Sequence, residues 1–245
     1  MRTLRLAVAL LFTSIIVLAT PSNCPISPGT DLNTLNGDGG CIQVDILFNS
    51  FNITTDPSSI VPAPTLSDVL LFGTGAAPNM DANFNTPGPG LGTTWSVPGD
   101  LTGGELNQTL TYTANLQNLN DFVALSIDGT GTTVTGNGLV ILTETYCLGA
   151  TTTVGCAAGS GGAVTAVFFN GALQSNSSPA LFLPTSPLVA ISEQIQMFNI
   201  PGSATALTNL DNDFQEFETP EPATLLLLGS ALGAFGLIRR RARRG

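Results

Sequence analysis

Apolar and polar positions alternate along much of the chain with a period of two. Runs of this kind cover Ile42–Phe48, Leu66–Phe72, Glu105–Ala114, Asp121–Asp128, Gly138–Tyr146, Ala163–Phe169 and Leu188–Asn199. In Glu105–Ala114 the residues Leu106, Leu110, Tyr112 and Ala114 share one parity, while Asn107, Thr109, Thr111 and Thr113 take the other. In the last run Ile191, Ile195 and Met197 share a face with Glu193 as the exception. Such alternation suits antiparallel strands with one face buried. Between the runs stand Asn36-Gly37, Asp38-Gly39, Asp128-Gly129, Asn137-Gly138 and Asn170-Gly171, dipeptides that tolerate the positive φ of tight hairpins. With no long amphipathic helical pattern in between, the expectation is an all-β, antiparallel β-sandwich, with a jelly roll among the arrangements the pattern allows. The Pro- and Gly-rich stretch Ala76–Gly92 reads as a long surface loop, and Asn209–Glu218 as an acidic, solvated spacer.

The two ends follow a different pattern. Arg2 and Arg5 precede the apolar run Leu6–Ala19, the composition of an export signal, with cleavage expected between Thr20 and Asn23. The competing readings are a retained membrane helix and a lipoprotein at Cys24; the second is weak because Asn23 stands where a lipobox needs a small residue. At the other end Ala223–Ile238 is continuously apolar or small. At 1.5 Å per residue it spans about 24 Å, slightly short of a ~30 Å hydrocarbon core but able to cross with flanking arginines snorkelling. The following Arg239, Arg240, Arg241, Arg243 and Arg244 place the tail in the cytoplasm and everything before Pro220 outside. The expected organisation is a signal peptide at 1–22, an exported β-domain at 24–217 and a C-terminal signal at 218–245 whose transmembrane helix is 223–238.

Pro220-Glu221-Pro222, a short Leu-rich helix and a terminal arginine cluster, in that order, resemble the PEP-CTERM sorting signal. The resemblance covers Pro220 to Gly245 and departs from the family at Thr219, where Val often precedes the motif. It implies a partner, exosortase, a membrane-embedded transpeptidase-like enzyme that cuts near the Pro-Glu-Pro. It also implies a transient single-pass intermediate in the inner membrane, then a cell-surface or extracellular location in a producer of exopolysaccharide. Two prolines around Glu221 hold that backbone extended, a form an enzyme in the membrane can bind without unwinding a helix. A plain tail anchor is the competing reading.

Charge sharpens this picture. The formal net charge is −10, yet all seven basic residues lie at the ends, and all 17 acidic ones lie between Asp31 and Glu221, a segment without Lys, Arg or His. That excludes nucleic-acid binding through a basic surface. It also excludes nucleophilic centres that depend on His within this chain. A carboxylate pair drawn from Glu105, Glu144 and Glu193 remains arithmetically open for glycoside chemistry, but no spacing singles it out, and the expectation is no enzyme and no catalytic residue. No cofactor is expected. Calcium is the one metal with any support, at Asp211, Asp213 and Glu216, which fit no EF-hand spacing.

Four cysteines in an exported domain predict two disulfides. Of three possible pairings the expected one joins neighbours, Cys24 with Cys41 and Cys147 with Cys156; zinc ligation lacks a CxxC or His. Trp95 reads as a core or loop anchor more readily than as a lone sugar-stacking ring. Two functional classes remain: a structural or interaction protein of the surface or matrix, associated with exopolysaccharide, and a carbohydrate- or calcium-binding β-sandwich module. Aromatic poverty, with one Trp and two Tyr, favours the first.

Overall fold

The alternating runs become strands because each offers one apolar row to a shared interior. In the computed structural model, residues 20–217 are described apart from 27–28, 77–78, 87–93, 102–103, 119, 130–131 and 178. Most of the predicted signal segment, Pro220, Glu221 and Pro222, the predicted helix 223–238 and the arginines after it lie outside the described residues. Among the described residues no helix is long and apolar enough to cross a membrane.

Among the described residues the first elements are β1 (Ser22–Asn23), β2 (Thr30–Asp31), the short helix α1 (Leu32–Gly37), β3 (Cys41–Gln43) and β4 (Ile46–Thr55). Next come β5 (Leu70–Ala76), β6 (Asn79–Asn85), β7 (Trp95–Val97), β8 (Glu105–Leu116), β9 (Asp121–Ile127) and β10 (Thr133–Gly136). The last six are β11 (Leu139–Leu148), β12 (Gly161–Phe169), β13 (Ala172–Asn176), β14 (Ala180–Ser186), β15 (Leu188–Phe198) and β16 (Thr205–Phe217). One sheet has the order β1-β3-β4-β8-β15-β11-β12-β13. The other runs β14-β9-β16-β6-β5-β2, with β10 and β7 also paired to β16. The result is a mostly-β, two-sheet sandwich, antiparallel except for the β1–β3 pair.

Leu106, Leu110, Tyr112 and Ala114 of β8 are all buried, as the alternation requires, in one core cluster with Leu207, Leu210 and Phe214 of β16. Rings tie the sheets together: Phe48 meets Phe214 edge-on with centroids 5.4 Å apart, and Phe84 lies 5.0 Å from Tyr112. Aromatic pairs at such distances add about 0.5–1.5 kcal/mol each beyond area burial.

Several expectations change. Asn36-Gly37 is the end of α1 rather than a hairpin. Asp31 caps that helix by accepting from the Thr34 N–H at 2.9 Å, and Leu32 and Leu35, three apart, bury one face. Asn36 then clasps the backbone of Phe51, donating to its carbonyl at 2.6 Å and accepting from its N–H at 3.0 Å. The Ala76–Gly92 loop is interrupted by β6, which pairs with β5 and β16. The predicted run Ile42–Phe48 is split by a reversal at Val44, whose φ is +55°. Asn170-Gly171 makes the tight turn expected of it, with φ of +54° and +74°.

Both disulfides are the neighbour pairs, Cys24–Cys41 and Cys147–Cys156, with Cα atoms 4.8 Å and 5.6 Å apart. The first fastens β1 to β3; the second closes the loop between β11 and β12.

Candidate functional site

The largest departure from expectation lies at Asn209–Glu218, whose residues up to Phe217 are not a spacer but the second half of β16. Here β16 is a central strand, with β6 on one side and β9 on the other. Even-numbered Leu210, Asn212, Phe214 and Glu216 turn inward, and all are buried. Odd-numbered Asp211 and Asp213 turn to the outer face.

On that outer face Asp213 stands directly opposite Asp81 of β6, and Asp211 opposite Asn83. Carboxylate oxygens of Asp81, Asp211 and Asp213 all lie within 4.8 Å of one another. Thr74 donates to Asp81 Oδ2 at 2.9 Å, and Ser126 of β9 reaches Asp213 Oδ2 at 3.4 Å. With its amide turned, Asn83 donates to Asp211 at 3.2 Å. Like charges facing each other across a ladder are destabilising, and partial burial amplifies the cost. Burial first, then Asp81, Asp213 and Asp128, push Asp211 up to about 7. Burial first, then Asp81 and Asp128, bring Asp213 up to about 7, with the Ser126 hydroxyl opposing. Such a trio can share protons or hold a hard cation through its oxygens.

Glu216 is not part of this group. It faces inward at the end of the sandwich, where Asn120 donates to its Oε2 at 3.2 Å. Its neighbour is Asp45, in the turn between β3 and β4; burial first, then the Glu216 charge, raise the Asp45 carboxyl. Asp81, which joins Asp211 and Asp213, stands 130 positions earlier than Asp211, and sequence offers no signal of that meeting.

A second carboxyl pair occupies the core. Glu144 of β11 and Glu193 of β15 are register partners in the first sheet, and both are 0% exposed. From the other sheet Asn212, also 0% exposed, donates through Nδ2 to the Tyr112 hydroxyl at 2.9 Å. Burial raises both carboxyls; the Glu193 charge pushes Glu144 further, and the Asn212 amide moderates Glu193. Sealed from solvent, these two are beyond the reach of a saccharide. Glu105 sits far along the ladder, paired with Phe198.

Trp95 is fully buried, its indole N–H donating to Gln108 Oε1 at 2.6 Å. Tyr112 is buried too, and Tyr146 packs against Phe182 with centroids 4.9 Å apart, so neither Trp95 nor Tyr112 offers a stacking surface. The outer face of the first sheet carries instead a groove of about 380 Å³, lined by Asn52, Thr109, Thr111, Ser192 and the Thr151–Thr153 turn of the disulfide loop, without a charged side chain.

Comparison with known proteins places the tail. The family model of the PEP-CTERM protein-sorting motif matches residues 218–244. The chain therefore carries that motif at its C-terminus, which implies processing by exosortase; with the two disulfides it suggests an exported cell-surface protein. No curated protein matches the chain. Among solved structures, TmCBM61 in complex with β-1,4-galactotriose matches over 69% of this chain and 88% of its own, at 9% identity and a TM-score of 0.27. A likeness that slight carries nothing about ligand.

Proposed function

We propose that this is an exported, exosortase-processed protein of structural or interaction type, held at the cell surface or in the extracellular matrix and associated with exopolysaccharide, and that it is not an enzyme. One observation carries the reading: the sorting motif starts at residue 218, directly after the last residue of β16. A disulfide-pinned sandwich is thereby joined to its processing address with no intervening segment. The buried state of Glu144 and Glu193 and the lack of His support a non-catalytic role. A second reading, a calcium- or carbohydrate-binding module, is favoured by the Asp81, Asp211 and Asp213 group and by the uncharged groove. An acidic face that takes calcium would bridge to an acidic polymer it otherwise repels.

The test is to replace Pro220, Glu221 and Pro222 by alanine in a producing strain, and to compare membrane, surface and medium fractions with and without exosortase. The expected result is accumulation of a longer, membrane-held form in both cases. Normal trimming of the variant, or of the wild type without exosortase, would overturn the sorting reading. Glycan-array binding by the processed protein separates the two classes: a specific hit that is lost on substituting Thr109 or Thr111 favours the module.

A further inference from the structure

We propose that the centre of the sandwich holds a calcium ion, bound between the two sheets by Glu144, Glu193 and Asn212. This site is distinct from the acidic outer face and independent of the sorting reading. Glu144 and Glu193 are directly opposed on β11 and β15 with side chains in the core, and Asn212 approaches from β16 of the other sheet. All three are 0% exposed. Among the described residues no hydrogen-bond donor meets Glu144 Oε1, Glu144 Oε2 or Asn212 Oδ1, and the two oxygens of Glu193 have at most the amide of Asn212 beside them. A buried, unserved oxygen is destabilising, and more so if charged. So many together, in the middle of a core otherwise built of Phe48, Tyr112, Leu142, Ile195 and Phe214, require a compensating positive charge.

The described residues cannot supply it, because no Lys, Arg or His is among them. The choices are protons or a metal. One proton shared by the carboxyls serves two of the oxygens, whereas a cation reaches every one. The donor set is oxygen alone and its formal charge is 2−, which matches a hard divalent ion. Calcium accepts bidentate carboxylates and irregular geometry with 6–8 oxygens; magnesium demands an octahedron and keeps waters, and zinc prefers nitrogen and sulfur. Tyr112 holds the Asn212 amide in place through its hydroxyl, and that amide lies against Glu193. A site this enclosed fills as the sheets close, so metal binding and folding are one event.

The test uses the exported, processed protein and calcium itself. Metal content is measured after exhaustive dialysis into metal-free buffer, and thermal unfolding is followed after refolding in calcium or in EDTA. The D81N/D211N/D213N variant serves as the background that removes the outer acidic face. The expected result is one calcium per chain retained in that background, with refolding in EDTA lowering Tm by about 8–16 °C, the shift expected for a ligand at some thousand times its Kd. E144Q/E193Q should lose the ion and melt alike in both buffers. Calcium that disappears with the outer aspartates, or a metal-free protein whose melting ignores EDTA, overturns the proposal. If E144Q/E193Q does not fold, the metal content and EDTA response of the D81N/D211N/D213N background decide the matter alone.

Discussion

Replacing Asp211 and Asp213 by asparagine should make the domain more stable at pH 8 and leave it unchanged at pH 4. Both carboxyls are raised from 3.8 to about 7, chiefly by burial and then by their acidic neighbours. The folded state therefore keeps protons that the unfolded chain has released, and stability falls as pH rises through the window from about 4 to about 7. At 1.36 kcal/mol per pH unit, roughly three units would be worth about 4 kcal/mol for one fully buried, independent group. Asp213 is partly exposed and the trio titrates as a unit, so solvent screening and proton sharing reduce the joint effect to about 2–4 kcal/mol. For a domain of this size that is a shift of about 4–16 °C in Tm. Thermal melts of both proteins from pH 4 to 8.5 in EDTA and 0.15 M salt measure it, and the difference between them cancels every other titrating group. Asp56→Asn is the control, since Asp56 is held below its usual value by Ser58. A difference that does not change with pH, or that favours the wild type at pH 8, would refute the account of the acidic face.

Two further outcomes follow from the core and the staples. Tyr112→Phe removes the hydroxyl that accepts from Asn212 Nδ2, and should cost about 1–3 kcal/mol in urea denaturation by leaving a buried donor unserved; a neutral result would mean that the contact is not made. Removing Cys24–Cys41, which spans 17 residues, should cost about 3 kcal/mol, and removing Cys147–Cys156, which spans 9, slightly less. Melts of the two Cys-to-Ser pairs should rank in that order, and a larger loss for the shorter loop would point to native contacts of the Thr-rich turn instead.

The sandwich was readable wherever the two-residue period ran unbroken, as in β8 and β15, because burial on one face is what that period records. It was unreadable in β16 for a specific reason. Inward Leu207 and Leu210 are three apart, since the pairing of β10 with β16 slips between Thr133 and Val134, and the inward residues beyond include Asn212 and Glu216. A register shift plus polar core residues erases the pattern. β6 was hidden similarly: Met80, Ala82 and Phe84 are buried at every second position, but the prolines and glycines on either side give the segment the composition of a loop. Spacing favoured the neighbour pairing of the cysteines without excluding the other two, and the structure has the neighbour pairs. The acidic trio was not, because Asp81 and Asp213 meet only through the sheet.

The central place of β16 in its sheet has a measurable consequence. If Asn209–Glu218 merely lifted a finished domain off the membrane, a chain ending at Asn209 would fold. The structure requires the opposite. Truncation there removes the segment that pairs β6 on one side and β9 on the other, and withdraws the fully buried Leu210, Asn212 and Phe214. Loss of Leu210 and the Phe214 ring alone is worth about 5–10 kcal/mol by analogy with large-to-small core substitutions, comparable to the whole of a typical domain's stability of about 5–15 kcal/mol. The chain ending at Asn209 should therefore be protease-sensitive and lack a cooperative melt, while one ending at Phe217 folds. A compact, cooperatively melting product from the shorter chain would show that β16 is dispensable. The same arrangement predicts that exosortase cuts beyond β16, where the motif begins, and mass spectrometry of the processed protein checks it: a C-terminus inside 210–216 would refute the prediction.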